Sequence, residues 1–439
     1  MHQEKSGYDF HIRVRVVSGD LMSCSDTEKM LENNNLVLDM RQAVFSRTPL
    51  SYRVGNSTLH VQTKFVSVVA VGGLCALLVL FLVLPGSRTG TSNLTSDLWG
   101  HGEEHGHGHA HHRGWFSYYN STYPLTPPVY SDRGYVKYRI ALVSDLDTNS
   151  KHPTEKNTWI SYLKKGQLMI NIESGDDVSV TWDNELITLT SNLAYGGRGM
   201  ELSELVVFNG HLLAVDDRTG IIYEIDLHGN KAIPWVILTD GNGREKKGFK
   251  SEWATVKDET LIIGGLGKEW TTSTGELVNH NPQWVKTVTT RGFVEHHDWT
   301  RNYEKLRQSI GIHFPGYMIH ESCVWAEGWQ RWVFLPRRAS TSRYNEVDDE
   351  HRGTNIMLTA TEGFEQVQVK EIGEKLPTHG FSSFKFIPGT KEKIIVALKS
   401  EEVDGKVATY IMAFNVSSGK VILPETKVGD YKFEGIEFV

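Results

Sequence analysis

An uncharged run from Phe65 to Leu84, FVSVVAVGGLCALLVLFLVL, divides this 439-residue chain into parts that meet different solvents. At about 1.5 Å of helical rise per residue, such a run crosses a hydrocarbon core of about 30 Å, so a transmembrane helix is expected. A cleaved signal peptide has a shorter apolar core close to the N-terminus, whereas sixty-four residues precede this one, so the span should persist as a signal anchor. Arg41, Arg47, Arg53 and Lys64 lie before it and only Arg88 follows closely. The positive-inside bias then places the N-terminus in the cytosol and the C-terminal bulk in a lumen. The expected organisation is a cytosolic segment 1–64, an anchor 65–84, a stem 85–128 and a folded domain 129–439.

The sequons at Asn93, Asn120 and Asn415 would then face the glycosylation machinery, and that at Asn56 would not. The stem is rich in Gly, Ser, Thr, Pro and His and has little apolar periodicity, as a linker does. Its tract HGEEHGHGHAHH carries His101, His105, His107, His109, His111 and His112. Such a tract can bind zinc or copper, but without a packed surrounding shell a solvated linker is the preferred reading. Of the cysteines Cys24, Cys75 and Cys323, only the last lies in the folded domain, so no disulfide framework can be drawn there. A net charge of −7 argues against nucleic acid or another general polyanion as partner, and any anionic ligand needs a local basic site.

Beyond Tyr135, runs rich in β-branched and aromatic residues recur: YRIALVSDL, LVVFNGHLLAVD, TLIIGGL, RWVFLP, KIIVALKS and TYIMAFNV. They read as strands, with turns at Asn209–Gly210, Arg218–Gly220, Pro388–Thr390 and Ser417–Gly419. One short helix is expected, at Tyr303–Ile310. An acidic or hydroxyl cluster precedes each strand-turn-strand unit, and Ser203, Glu252, Glu321, Ser382 and Glu434 mark them at separations of 49, 69, 61 and 52 residues. This spacing suits four-stranded propeller blades, and five markers suggest five. A six-bladed ring or a β-sandwich is also compatible with so degenerate a repeat.

In a propeller the same position of each blade converges on the central channel. Three glutamates gathered there would repel one another unless a cation sat among them, and oxygen donors without His or Cys favour calcium over zinc or copper. The plainer reading is that these residues cap turns. Polar strand ends supply further candidates: Asp145 and Asp147 in DLD, Asp216–Arg218 in DDR, Pro336–Arg338 in PRR, and Lys268 and Glu269 in GGLGKEW, which could reach the channel mouth. Phosphoryl transfer needs a group that activates water, a cation, and Arg or Lys to take charge on the phosphate oxygens, and this inventory holds all three. The glycine-rich DGNGREKKGFK lacks the ending of a phosphate loop and the acidic pattern of an EF-hand, and no GxSxG or HExxH motif is present.

The signatures RGMELSELVVFNG, VDDRTG, GFKSEW, GGLGKEWTT, HES, FLPRRAS, THGFSSFKFIP, IIVALKSEE and LPETKVG extend this pattern. With them the chain closely resembles the apyrase family of calcium-dependent nucleotidases, from about Tyr119 to Val439. The resemblance implies an all-β, five-bladed propeller with one central calcium. It implies hydrolysis of nucleoside diphosphates such as UDP and GDP, and of some triphosphates, to the monophosphate. It places the calcium shell on Ser203, Glu204, Glu252, Glu321, Ser382 and Glu434; at position 204 some members carry Asp, one methylene shorter. Asp145, Asp147, Asp217 and Glu269 become candidates for water activation, and Arg218, Lys268, Arg337 and Arg338 for phosphate binding. It further implies a role in the Golgi and endoplasmic reticulum, where removal of UDP or GDP favours glycan and proteoglycan synthesis. A secreted form after cleavage of the anchor and a homodimer are both admissible.

Two other classes remain open: a lactonase or esterase on a calcium propeller, whose sites usually mix Asn and Asp ligands with a His base, and a binding module with purely structural calcium. The topology is testable directly. Glycosidase should shift the mobility of a product bearing Asn120, and the N-terminus should be accessible only from the cytosolic side; a glycan on Asn56 would reverse the orientation.

Overall fold

A computed structural model describes residues 50–54, 57–61, 119–131 and 133–439. The Phe65–Leu84 span, the His-rich tract, Asn56 and Asn93 lie outside the described residues. Among the described residues no helix is long and apolar enough to cross a membrane. The chain separates into two compact units, Met1–His111 and His112–Val439. In the first, Leu50–Val54 pairs antiparallel with Ser57–Val61.

The second unit is a five-bladed β-propeller. Blade I runs from an inner strand Leu202–Phe208 through His211–Asp216 and Ile221–Asp226 to an outer strand Lys231–Ile237. Blade II comprises Trp253–Lys257, Thr260–Gly264, Trp284–Val288 and Val294–Asp298. Blade III comprises Cys323–Ala326, Arg331–Phe334, Ile356–Thr361 and Val367–Glu371. Blade IV comprises His379–Phe386, Ile394–Val403, Lys406–Asn415 and Val421–Gly429. Blade V is composite: the C-terminal strand Phe433–Phe438 is its inner strand and pairs with Tyr135–Ser144, which continues to Trp159–Asn171 and Val178–Ser191. The inner strands touch in a closed ring, I to II, III, IV, V and back to I.

Both faces of each sheet are covered, which explains why the strands read as nearly continuous apolar runs. On Tyr135–Ser144, Ile140 and Leu142 join a buried cluster with Val396 and Leu398 of blade IV, while Ala141 and Val143 join another with Leu205 and Val207 of blade I. Successive side chains of a strand point to opposite faces, so one strand serves two blade interfaces. The I–II, II–III and III–IV interfaces have clusters of their own, built around Phe249 with Leu261, Trp253 with Phe334, and Phe381 with Val333.

The helix between blades II and III spans Thr300–Gln308, beginning earlier and ending sooner than the expected Tyr303–Ile310. The Asp298 carboxylate accepts the Thr300 N–H at 2.9 Å and so starts the helix ahead of its apolar pattern, and Gly311 (φ 74°) reverses the chain after it. The loop of blade II carries the short hairpin Trp270–Thr271 with Leu277–Asn279; ahead of and within blade III, Tyr317–Ile319 pairs with Arg338–Ser340.

Closure requires close backbone approach at Gly435, where a Cβ would lie 2.6 Å from Leu205 N and 2.7 Å from Glu204 C. Gly435→Ala should therefore cost about 1–3 kcal/mol of stability in urea denaturation, the usual range for overpacking. Gly429→Ala, with open space around its Cβ position, should change stability by less than about 0.5 kcal/mol. Equal effects of the two would contradict this account of the ring.

Candidate active site

The five markers all sit where an inner strand begins. Glu252 immediately precedes the inner strand of blade II, and Glu321 lies two residues ahead of that of blade III. Ser203, Ser382 and Glu434 lie within their inner strands, each at a shift of register: between Leu202 and Glu204, between Phe381 and Ser383, and between Phe433 and Gly435. A bulge re-aims the extra residue out of the regular alternation, which is how a side chain leaves a buried sheet face for another direction. All five residues are buried.

Glu321 and Glu434 converge on one group, the Arg337 guanidinium, whose Nη1 pairs with Glu321 and lies 2.9 Å from Glu434 Oε1. Glu252 is near enough to Glu321 for repulsion to act between them. Burial first, then Glu321 and Asp217, push the Glu252 carboxyl up against the opposing pull of Lys250. Glu434 is raised in the same way by burial, with Lys432 and Arg337 opposing and Glu321 reinforcing. Glu204 stands apart from these three. Its Oε1 accepts from Ser383 Oγ at 2.8 Å and Leu205 N at 2.9 Å and lies 3.3 Å from Lys385 Nζ, and burial drives its carboxyl up to about 8.

A second acidic group forms beside the first. Ligand atoms of Asp145, Glu201 and Asp217 lie within 4.8 Å of one another, and all three residues are buried. Asp145 follows the strand Tyr135–Ser144; its Oδ1 accepts from Asp147 N at 2.7 Å and its Oδ2 lies 2.6 Å from Lys432 Nζ. Asp147 is half exposed and pairs with Lys432 at 2.6 Å and Arg198 at 3.2 Å. Asp217 and Arg218 are set by Asp216, whose buried carboxylate accepts from Met200, Arg218 and Thr219 N–H groups and is raised to about 7 by burial. Asp217 pairs with Lys250 through Oδ2, while its buried Oδ1 has no partner among the described residues.

The other candidates are distributed differently. Arg218 makes no ion pair among the described residues and lies 5.9 Å over the Tyr195 ring. Tyr195 lines a cavity of about 250 Å³ with Leu193, Ile221, Ile237, Lys246 and Lys247. Glu269 is held by both Nη atoms of buried Arg307 at 2.8 and 2.9 Å, so its two oxygens are committed to that pair. Lys268 lies over the Tyr344 ring at 4.2 Å, and burial lowers its ammonium to about 8. Arg338 is tied to buried Asp349 at 2.7 Å.

Sequence reasoning missed Glu201, Glu402, Arg198, Lys250 and Lys432. Glu201 stands inside RGMELSELVVFNG, and Lys250 and Glu402 inside GFKSEW and IIVALKSEE. Burial works against the charge of Glu402, but Arg337, Lys432 and Arg338 outweigh it and hold the carboxyl at about 2.

The donors fit calcium. Ser203 Oγ and Ser382 Oγ are buried without a partner among the described residues, as hard oxygens waiting on a cation would be, and the converging glutamates add charge without any nitrogen or sulfur donor.

Residues 146–439 match the family model described as Apyrase. The chain is 59% identical over 323 residues to soluble calcium-activated nucleotidase 1 of Rattus norvegicus, covering 74% of this chain and 79% of that protein. It is 42% identical to the apyrase of Cimex lectularius, over 89% of this chain and 99% of that one. An apyrase of Caenorhabditis elegans is 47% identical over 70% of this chain and 86% of its own length.

The raised carboxyls have a consequence for stability. Glu204, Asp216, Glu252 and Glu434 all titrate above their ordinary values, so between about pH 5 and 8 the folded chain binds more protons than the unfolded one, and stability falls as pH rises. Lys250 and Lys432 are raised too, but their contribution is lost only above the ordinary lysine range, and that of Glu402 is lost only in acid, outside this window. Thermal denaturation of calcium-free protein should show a lower midpoint at about pH 8 than at about pH 5.5, and added calcium should flatten the slope because it binds deprotonated ligands. A calcium-free midpoint that climbs over this range would refute the assignment.

Proposed function

The chain belongs to the apyrase family, and on that premise we propose that this calcium-activated nucleotidase acts on nucleoside diphosphates, UDP and GDP foremost, and on some triphosphates, releasing phosphate and leaving the monophosphate. The observation that carries the reading is the adjacency of two acidic groups with different company. Glu321 and Glu434 meet at Arg337 while Ser203 Oγ and Ser382 Oγ are buried without a partner among the described residues, and Asp145, Glu201 and Asp217 gather with Lys250 and Lys432 against them.

Ser203, Glu252, Glu321, Ser382 and Glu434 would hold calcium, with Glu204 Oε2 as a further oxygen. Calcium supplies positive charge that draws water and phosphate oxygens together, yet acidifies its water far less than zinc does. A carboxylate is then needed to accept the proton. Asp217 suits that task because Oδ1 has no partner among the described residues while Oδ2 is fixed by Lys250. Asp145 has both oxygens engaged, by the Asp147 N–H and by Lys432, and serves better to orient its neighbours. Arg218, without an ion pair among the described residues, presents paired donors to phosphate, and Arg337, Arg338 and Lys268 extend the cationic lining. The cavity bounded by Tyr195, Leu193 and Ile221 offers an aromatic and apolar wall for a nucleoside.

The uncharged Phe65–Leu84 span and the cations before it support a single-pass anchor in the Golgi and endoplasmic reticulum with the domain 129–439 in the lumen, or secreted after cleavage. There, hydrolysis of UDP and GDP would remove products that inhibit glycosyl transfer. Phosphate release from UDP, with and without a calcium chelator, tests the activity; equal release in both would overturn the calcium requirement. Asp217→Asn should lower turnover about a hundredfold with calcium binding retained, the usual scale for losing a general base. Full turnover in both Asp217→Asn and Asp145→Asn would exclude both as bases.

A further inference from the structure

The three glutamates expected to hold calcium already face cations of the chain, and each of those cations also touches an acid outside the calcium set. Lys250 Nζ lies 2.7 Å from Glu252 Oε1 and pairs with Asp217. Lys432 Nζ lies 3.9 Å from Glu434 and 2.6 Å from both Asp145 and Asp147. Arg337 spans Glu321 and Glu434 and reaches Glu402 with its other nitrogen. These side chains stand where a bound cation would compete with them.

From this geometry we propose that Lys250 is a phosphate-binding residue whose availability calcium controls: the ion takes Glu252 from it, and the released ammonium serves the phosphates of the nucleotide. The inference rests on the calcium-dependent hydrolysis proposed above. A divalent ion gathers several carboxylates at once, whereas the Lys250 ammonium holds Glu252 as one of two partners, so calcium wins that oxygen. Lys250 then retains Asp217 alone. That aspartate is followed directly by Arg218, which has no ion pair among the described residues, so the two cations flank the carboxylate best placed to accept a proton. Exposure separates Lys250 from its counterpart: its side chain is 24% exposed, against 8% for Lys432, so a ligand can reach it. Calcium and nucleotide binding become linked, and linkage is reciprocal, so the nucleotide tightens calcium by the factor with which calcium tightens the nucleotide.

The plainer alternative makes Lys250 a fixed counter-ion to two buried acids. Binding of a methylene-bridged, non-hydrolysable UDP analogue, followed by calorimetry on the whole lumenal protein, separates the two. In chelator at about pH 9, above the range in which Glu252 keeps its proton, Glu252→Gln removes the anionic partner that holds Lys250 back, so it should bind the analogue about five- to tenfold tighter than the wild type, at the low end of usual coupling. Adding Lys250→Met should abolish that gain, and Lys250→Arg should keep most of it. In the wild type, calcium should tighten the analogue by a similar factor. A gain in Glu252→Gln that survives Lys250→Met would show general relief of negative charge and overturn the inference. So would analogue binding in Glu252→Gln no tighter than in the wild type. A wild type that binds neither calcium nor the analogue would overturn the functional reading and this inference together, whereas the preceding outcomes overturn the inference alone.

Discussion

Carboxylates buried at the meeting point of five sheets are the constraint to which the rest of this site answers. Glu252, Glu321 and Glu434 are almost wholly removed from water, and a buried anion without a counter-charge is costly enough that it would protonate instead. The chain supplies its own counter-charge in Lys250, Arg337 and Lys432, and each makes at least two ion pairs. Breaking a buried pair by removing one partner leaves an uncompensated charge, so these cations and acids stand or fall as a network. Calcium bound as proposed would enter a site that already holds its own counter-charges, and would change which charges face one another.

The ring makes that arrangement rigid. Each inner strand is flanked by packed interfaces on both sides: Cys323, two residues after Glu321, is packed into one cluster with Trp253 and Phe334. Interiors packed at this density resist small shifts, and the bulges at Ser203, Ser382 and Glu434 are held by neighbouring blades and not by local preference. Asp216 does similar work at smaller scale. By accepting three backbone N–H groups it sets the turn that presents Asp217 and Arg218 to the site.

Much of the fold was legible because its signals are local. Continuous apolar runs ending in Asn-Gly or similar turns reveal strands, and the spacing from Ser203 to Glu434 reveals repetition of a unit of blade size. The cationic half of the site left no such signal, because its pairs join distant segments; Lys432 meets Asp147 across 285 residues. Nor could Glu269 be distinguished from a channel residue by sequence, since its commitment to Arg307 depends on a helix packed against the far end of its loop. Glu204, adjacent to Ser203 on an inner strand, points toward Ser383 and Lys385, which only the bulge at that position makes apparent.

The composite blade sets an order of events for a growing chain. Synthesis proceeds from the N-terminus, so Tyr135–Ser144 emerges early with no inner partner and waits while blades I to IV are made. The strand that finally covers it, Phe433–Phe438, also carries Glu434. The strand that closes the ring is thus also the one that brings an acid to its centre, so loss of Phe433–Phe438 would open the propeller and remove Glu434 together.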